Sequence, residues 1–189
     1  MKKPLSEMTL EELWQLFPIF LKEHDPNFKI LYAKEASFLK RLIPGIRRIS
    51  HIGSTAIEGI WAKPILDILL ELPKDSDFSE AKNILTSNGY LLMNSRPDGC
   101  SFNKGYTSEG FAPEVFHLHV RRAGDPDELY FRDYLNEHPL VAKNYEKLKL
   151  DLWKKFEFDR DGYTNAKGDF VKAVTQQARL IYANKYLLD

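Results

Sequence analysis

The residues most able to do chemistry lie in "HIGSTAIEGIWAKPILDILLEL", residues 51 to 72, and "FHLHV", residues 116 to 120. The first segment is a Gly53-Ser54-Thr55 turn, twelve further residues, then Asp67 inside an apolar run that also carries Glu71. Backbone amides and hydroxyls of such a turn can hold a phosphate, especially where a helix begins. Burying a carboxylate in an apolar strand is costly without a cation, a hydrogen-bond donor or an ion beside it. Asp67 therefore demands a partner. His117 and His119 are two apart, so on a strand their imidazoles share a face, roughly 6.6 Å apart along the chain. Neutral imidazole is a common ligand for zinc and similar ions, and Asp67 on a neighbouring strand completes a metal set in which His51, just before the turn, is the further candidate. The alternative is that a histidine only hydrogen-bonds a phosphate or a carbonyl. Glu71 faces the same side as Asp67 but about 13 Å away, too far to share an ion, and reads as a solvated strand end.

Other polar residues extend the pocket. Lys63, ahead of Pro64, can meet a phosphate or lie in solvent. Arg132 divides between phosphate binding and structure, and Asp133 beside it reads as a structural ion-pair partner. Tyr163 and Lys167 open the last helix, where a lysine opposes the helix dipole and needs an anion: Asp67, a ligand phosphate or a surface glutamate. Trp14, Trp61 and Trp153 read as core or rim packing, and Cys100 as a small residue without a nucleophile's partners.

The elements that must position these groups follow from periodicity. Residues 1–16 form a peripheral helical arm, with Thr9 and Glu12 in capping-box spacing, and "FPIFLKEH" reads as a strand. A helix runs from Asp25-Pro26 to Pro44-Gly45. "IRRISHI" and "ILDILLEL" are strands on either side of the Gly-Ser-Thr turn. A helix from about Phe78 to Asn88 precedes three more strand candidates, "YLLMNS", "CSFNKGY" and "EVFHLHV". From residue 127 the pattern is helical, read as two long helices divided by the "DRDG" turn. The class is α/β in the α+β sense, one domain over 1–189, with 127–189 as its C-terminal helices.

Composition narrows the function. The chain has 189 residues, 43% hydrophobic and 13% aromatic, enough for an ordinary core, with 27 basic and 27 acidic residues. The even balance disfavours nucleic acid as a partner. One cysteine excludes an internal disulfide, and the N-terminal stretch has no apolar leader, so the expectation is a soluble cytoplasmic protein. No apolar run approaches the ~20 residues of a membrane span. Nothing in the helices sets an oligomeric state.

"HIGSTAIEGIWAKPILDI", followed in order by "FHLHV", "LYFRDYLNEHP" and "YTNAKGDFV", closely resembles the GrpB family of the nucleotidyltransferase superfamily, from about Ile49 to Ile181. The resemblance implies a nucleotidyltransferase-like mixed sheet flanked by helices with a helical C-terminal part. It does not supply a reaction; the residues themselves offer Gly53, Ser54, Thr55, Lys63, Arg132 and Lys167 as candidate ligands of a nucleoside triphosphate, and Asp67, His117, His119 and His51 as candidate ligands of a divalent ion (magnesium, manganese or zinc). Asp67 and His119 are then the catalytic candidates. One departure stands out. Active nucleotidyltransferases carry a second carboxylate two residues after the first, and here that position is Leu69. Three readings stay open: transfer of a nucleotidyl group to an unknown acceptor, a nucleotide- or phosphate-binding regulatory module that lost catalysis, and a metal-assisted phosphoester hydrolase.

Overall fold

The computed structural model describes residues 3–188. Its elements are α1 (Leu10–Leu16), α2 (Asn27–Leu42), β1 (Arg48–Ile52), β2 (Leu66–Leu72), α3 (Phe78–Ser87), β3 (Leu91–Arg96), β4 (Gly99–Thr107), β5 (Gly110–Arg122), α4 (Asp127–Glu137), α5 (Pro139–Lys155), α6 (Arg160–Ala166) and α7 (Gly168–Tyr182). The strands form one sheet in the order β1-β2-β5-β4-β3. Only β2 and β5 pair in parallel; the other neighbours are antiparallel. The expected α/β class with helices after the sheet is borne out.

Strand alternation gives the sheet two unlike faces. Ile68 and Leu70 of β2, Leu118 and Val120 of β5 and Phe102 of β4 point to one side and form the main core with Phe28 and Leu39 of α2 and Leu85 of α3. Each is essentially inaccessible, a contribution of ~1.5–3 kcal/mol per large side chain. The opposite face carries Asp67, Leu69 and Glu71 of β2 with His117 and His119 of β5. The register pairs Asp67 with His117 and Leu69 with His119. Leu69 is covered by Leu129 of α4 together with Ile52. A separate cluster of Ile57, Ile60, Phe131, Leu135, Tyr145 and Val174 joins the β1–β2 connection to α4, α5 and α7. That connection therefore lies between the sheet and the C-terminal helices, and it brings the Gly-Ser-Thr turn and Lys63 to their junction.

Several local expectations are met by the physics that motivated them. Thr9 and Glu12 make a reciprocal capping box on α1. The Asp25 side chain accepts from the amide of Asn27 at the start of α2. Others need correction. "FPIFLKEH" is not a strand: it contributes one bridge, Lys22 with Ala62. The backbone groups of Ile19 are taken instead by the C-terminal helices, its amide by the carbonyl of Glu157 at 2.8 Å and its carbonyl by Trp153 Nε1 at 2.6 Å. The last helical stretch is broken at Lys167, with Gly168, a poor helix former, just after it, so the C-terminal part is α4 to α7 rather than two long helices. Among the described residues, no helix is long and apolar enough to cross a membrane.

Candidate functional site

Asp67 is held by a chain of three side chains. Arg160 Nη2 donates to Tyr106 Oη at 3.0 Å, Tyr106 Oη lies 2.8 Å from His117 Nε2, and His117 Nδ1 lies 3.2 Å from Asp67 Oδ1. Arg160 can only donate, which leaves the single Tyr106 proton for His117 Nε2. His117 is then the neutral Nδ1–H tautomer, donating to Asp67. Burial lowers the pKa of His117, against the pull of Asp67, in keeping with the neutral form. Burial also works against the charge on Asp67, but the ring N–H groups of His117 and His119 outweigh it and hold the carboxyl well below the usual range. His119 Nε2 is 3.9 Å from Asp67 Oδ1.

Gly53 lies directly against this carboxylate. A Cβ built on it would be 2.3 Å from Asp67 Oδ2, and its φ of +71° is one that residues with side chains rarely adopt. The turn after it is a three-residue 3-10 helix, Ser54–Ala56, not the start of an α-helix, so no helix dipole adds to the anion-binding amides expected there. Ser54 is half-buried and hydrogen-bonds Tyr145, whose phenol burial pushes up to about 12.

Cations gather near Asp67, while the other carboxylates of the same cleft, Asp127 and Glu128, pair with Arg179 and Arg121. Burial pushes the Lys63 ammonium down to about 7, helped by repulsion from Arg160 and Lys167 and opposed by Asp67. Burial pushes Lys167 down to about 8, again opposed by Asp67. Both ammoniums sit over the ring of Tyr163, at 5.6 Å and 4.2 Å from its centroid. Among the described residues neither lysine has a carboxylate within ion-pair distance, and the buried hydroxyl of Tyr163 has no hydrogen-bond partner. Beside Asp67, a cleft of about 670 Å³ opens between the sheet and the helices, lined by Gly53, Asp67, His119, Tyr145 and Lys167.

The structure does not bring together all the expected residues. His51 is on the other face of the sheet, stacked on Tyr32 of α2 with ring centroids 4.9 Å apart and 2.9 Å from the Thr55 hydroxyl. Burial lowers it to about 4. Thr55 is turned inward with it, reaching the carbonyl of Ile65, which leaves Ser54, bonded to the cleft residue Tyr145, as the turn's hydroxyl nearer the cleft. Arg132 is engaged by the carbonyl of His51 at 2.9 Å and by Asp133 at 2.6 Å, and it lines neither cavity next to Asp67. The Asp133 ion pair is as expected. Glu71 is not a solvated strand end but 1% exposed, bonded to Arg48.

The donor set also fails to fit the expected divalent centre. His117 has both ring nitrogens engaged, His51 is across the sheet, and Leu69 replaces the second carboxylate. Asp67 and His119 alone remain, and among the described residues no group of three or more His, Cys, Asp or Glu side chains is placed to hold a metal ion. Arg160 and Tyr106, which complete the chain to Asp67, had no signal in the sequence: Arg160 sits in the segment read as a turn, and Tyr106 reaches His117 only through strand pairing.

The chain matches the family model described as GrpB protein over residues 18–177. It is 37% identical over 165 residues to the glutamate-rich protein GrpB of Alkalihalophilus pseudofirmus, covering 84% of this chain and 95% of that protein. It is 34% identical over 159 residues to a UPF0157 protein of Pseudomonas aeruginosa, covering 82% of this chain but 65% of that protein. The crystal structure of the conserved protein GrpB from Enterococcus faecalis superposes with a TM-score of 0.73 at 24% identity, over 86% of this chain and 99% of that one, which shows a shared fold. By the extent of the family match and by its relatives, the chain belongs to the GrpB family.

Proposed function

We propose that this protein binds the phosphates of a nucleoside triphosphate at the junction of the sheet and the C-terminal helices. One observation carries the reading: Lys63, Lys167 and Arg160 gather around one carboxylate that His117 already satisfies, leaving more positive charge than Asp67 can balance. Bringing like charges together is unfavourable, and an anion relieves it. Ser54 and the Tyr163 hydroxyl add neutral donors. In this reading the lysines and Arg160 supply the charge neutralisation that a protein-held ion pair would otherwise provide, and no resident metal is required. Asp67, with its low pKa, is a poor base; it holds the cations and His117 in register.

Isothermal titration calorimetry with inorganic tripolyphosphate and with ATP tests the binding. Lys63→Met with Lys167→Met is expected to weaken both at least tenfold while the melting temperature stays level or rises, since a repulsion is removed. Binding that ignores this double change refutes the reading. Melting temperatures of the nucleotide-free protein are expected not to respond to magnesium, manganese or zinc; a marked rise with any of them restores the metal site at Asp67 and His119.

Nucleotidyl transfer is the second reading, and His119 favours it. This imidazole lies in the cleft at about one-third exposure, its Nε2 3.9 Å from Asp67, placed to move a proton to or from an acceptor. Release of pyrophosphate from ATP, with water as acceptor, is the measurement. His119→Gln should leave ATP affinity in place and abolish that release; equal rates in both proteins exclude His119 as the catalytic group.

A further inference from the structure

A second cavity, of about 350 Å³, has in its lining Lys63 and Arg160, two of the cations near Asp67, but not Asp67 itself. Its volume falls within the roughly 300–1,000 Å³ typical of small-molecule sites. Its apolar lining includes Phe20, Phe111, Pro113 and Ile65, and Lys63 and Arg160 line it with them. The aromatic wall is braced from behind. Phe111 packs against Phe17 and Tyr106 at centroid distances of 5.0 Å and 5.2 Å, and the Arg160 guanidinium lies 5.6 Å from the Tyr106 ring and 6.0 Å from that of Phe111. Phe20 is 40% exposed at the mouth, a large apolar ring left partly in water.

Resting on the phosphate reading above, we infer that this cavity holds the nucleobase. The chemistry calls for a ligand with a flat apolar part and an anionic part joined at Lys63 and Arg160. A base against Phe111, with its phosphates passing Lys63 and Arg160 toward Lys167, Ser54 and Asp67, meets both demands. Stacking on aromatic rings is available to every base. The lining side chains able to hydrogen-bond are Lys22, held by Asp25 at 2.9 Å, and the two cations given to phosphate. Discrimination among bases is therefore weak, with purine and pyrimidine triphosphates binding within about an order of magnitude of one another.

Calorimetry with inorganic tripolyphosphate, ATP and CTP tests this, using the wild type, Ala112→Trp to fill the cavity and Phe20→Ala to remove part of its wall; unchanged circular dichroism shows that each variant folds. Both nucleotides are expected to bind on the order of tenfold more tightly than tripolyphosphate. Ala112→Trp should cancel that advantage and Phe20→Ala reduce it, while tripolyphosphate affinity stays constant in all three proteins. If ATP binds no better than tripolyphosphate, or keeps its advantage in folded Ala112→Trp, the base does not sit here and the phosphate reading survives. If tripolyphosphate and nucleotides all fail to bind the wild type, the phosphate reading falls and the base site with it. An alkyl diphosphate that outbinds ATP and loses its gain in Ala112→Trp overturns the assignment in favour of an apolar chain.

Discussion

Asp67 and Glu71 sit four residues apart on β2, on the same face of the same strand, and they end in opposite surroundings. Glu71 is buried and completely partnered: Arg48 grips it through Nε and through Nη2 at 2.9 Å, and the amide of Gly124 donates to it at 3.1 Å. The same guanidinium reaches the carbonyls of Gly124 and Tyr186, so the pair ties the C-terminal segment to the sheet edge. Asp67 has one good donor, His117, and a surplus of cations within electrostatic reach. A carboxylate whose partners match it one for one is part of the framework. One surrounded by more positive charge than it can balance marks a place for another anion.

Substitutions that remove each charge give the largest separation. Glu71→Gln leaves Arg48 buried without its counter-charge and is expected to cost about 3–5 kcal/mol in urea unfolding, as for other broken buried pairs. Asp67→Asn is expected to change stability by less than about 1 kcal/mol, because it faces an open cleft and its amide still accepts from His117. Equal losses in the two variants would remove the distinction. Gly53→Ala comes next. Its Cβ would collide with Asp67 Oδ2 and its φ is left-handed, together worth about 1–3 kcal/mol. Adding Asp67→Ala should recover the part due to the collision and leave the backbone part, a coupling that a double-mutant cycle on melting curves detects.

The smallest effect is in pH. Lys63 and Lys167 lose their protons near 7 and 8 in the folded protein but near 10.5 in the unfolded chain. The unfolded state therefore binds more protons through that window, and these two groups raise stability as pH rises across it. Tripolyphosphate is favoured by the protonated forms, so its affinity should fall by at least about tenfold from pH 6 to 9. Binding at pH 8 should take up protons, seen as a binding heat that depends on the ionisation enthalpy of the buffer. Asp67 has the reverse linkage: its lowered pKa contributes stability that is present above about pH 4 and is lost as pH falls further. An affinity that is flat or rises from pH 6 to 9 would count against the lysines as the phosphate ligands.

Much of the framework was legible because its signals are local. Alternation in "ILDILLEL" and "EVFHLHV" assigned the strands and showed that Asp67 and Glu71 lie on one side of their strand and that His117 and His119 lie on one side of theirs. Thr9 with Glu12 and Asp25 with Pro26 located helix starts through side-chain capping of nearby amides. The family motifs, spread in order along the chain, identified GrpB membership. The N-terminal "FPIFLKEH" misled for the same reason: its extended backbone pairs mainly with α5 and the segment after it, far away in sequence.

What the sequence by itself determined is which residues could do chemistry and which side of each element they occupy, since these follow from residue type and from periods of 2 and 3.6. Only the tertiary structure decided which of them meet. The register of β2 on β5 puts Asp67 beside His117, while the pairing of β1 with β2 sets His51 opposite Ile68, on the other face, where it meets Tyr32. The break at Lys167 and the return of α6 to the sheet bring Lys167 and Arg160 to a carboxylate roughly a hundred residues earlier in the chain. A strand's period fixes the face of a side chain, but charge balance depends on every group within several ångströms, whatever its distance along the chain. Glu71 and Asp67 are alike in the sequence and differ only in those neighbours.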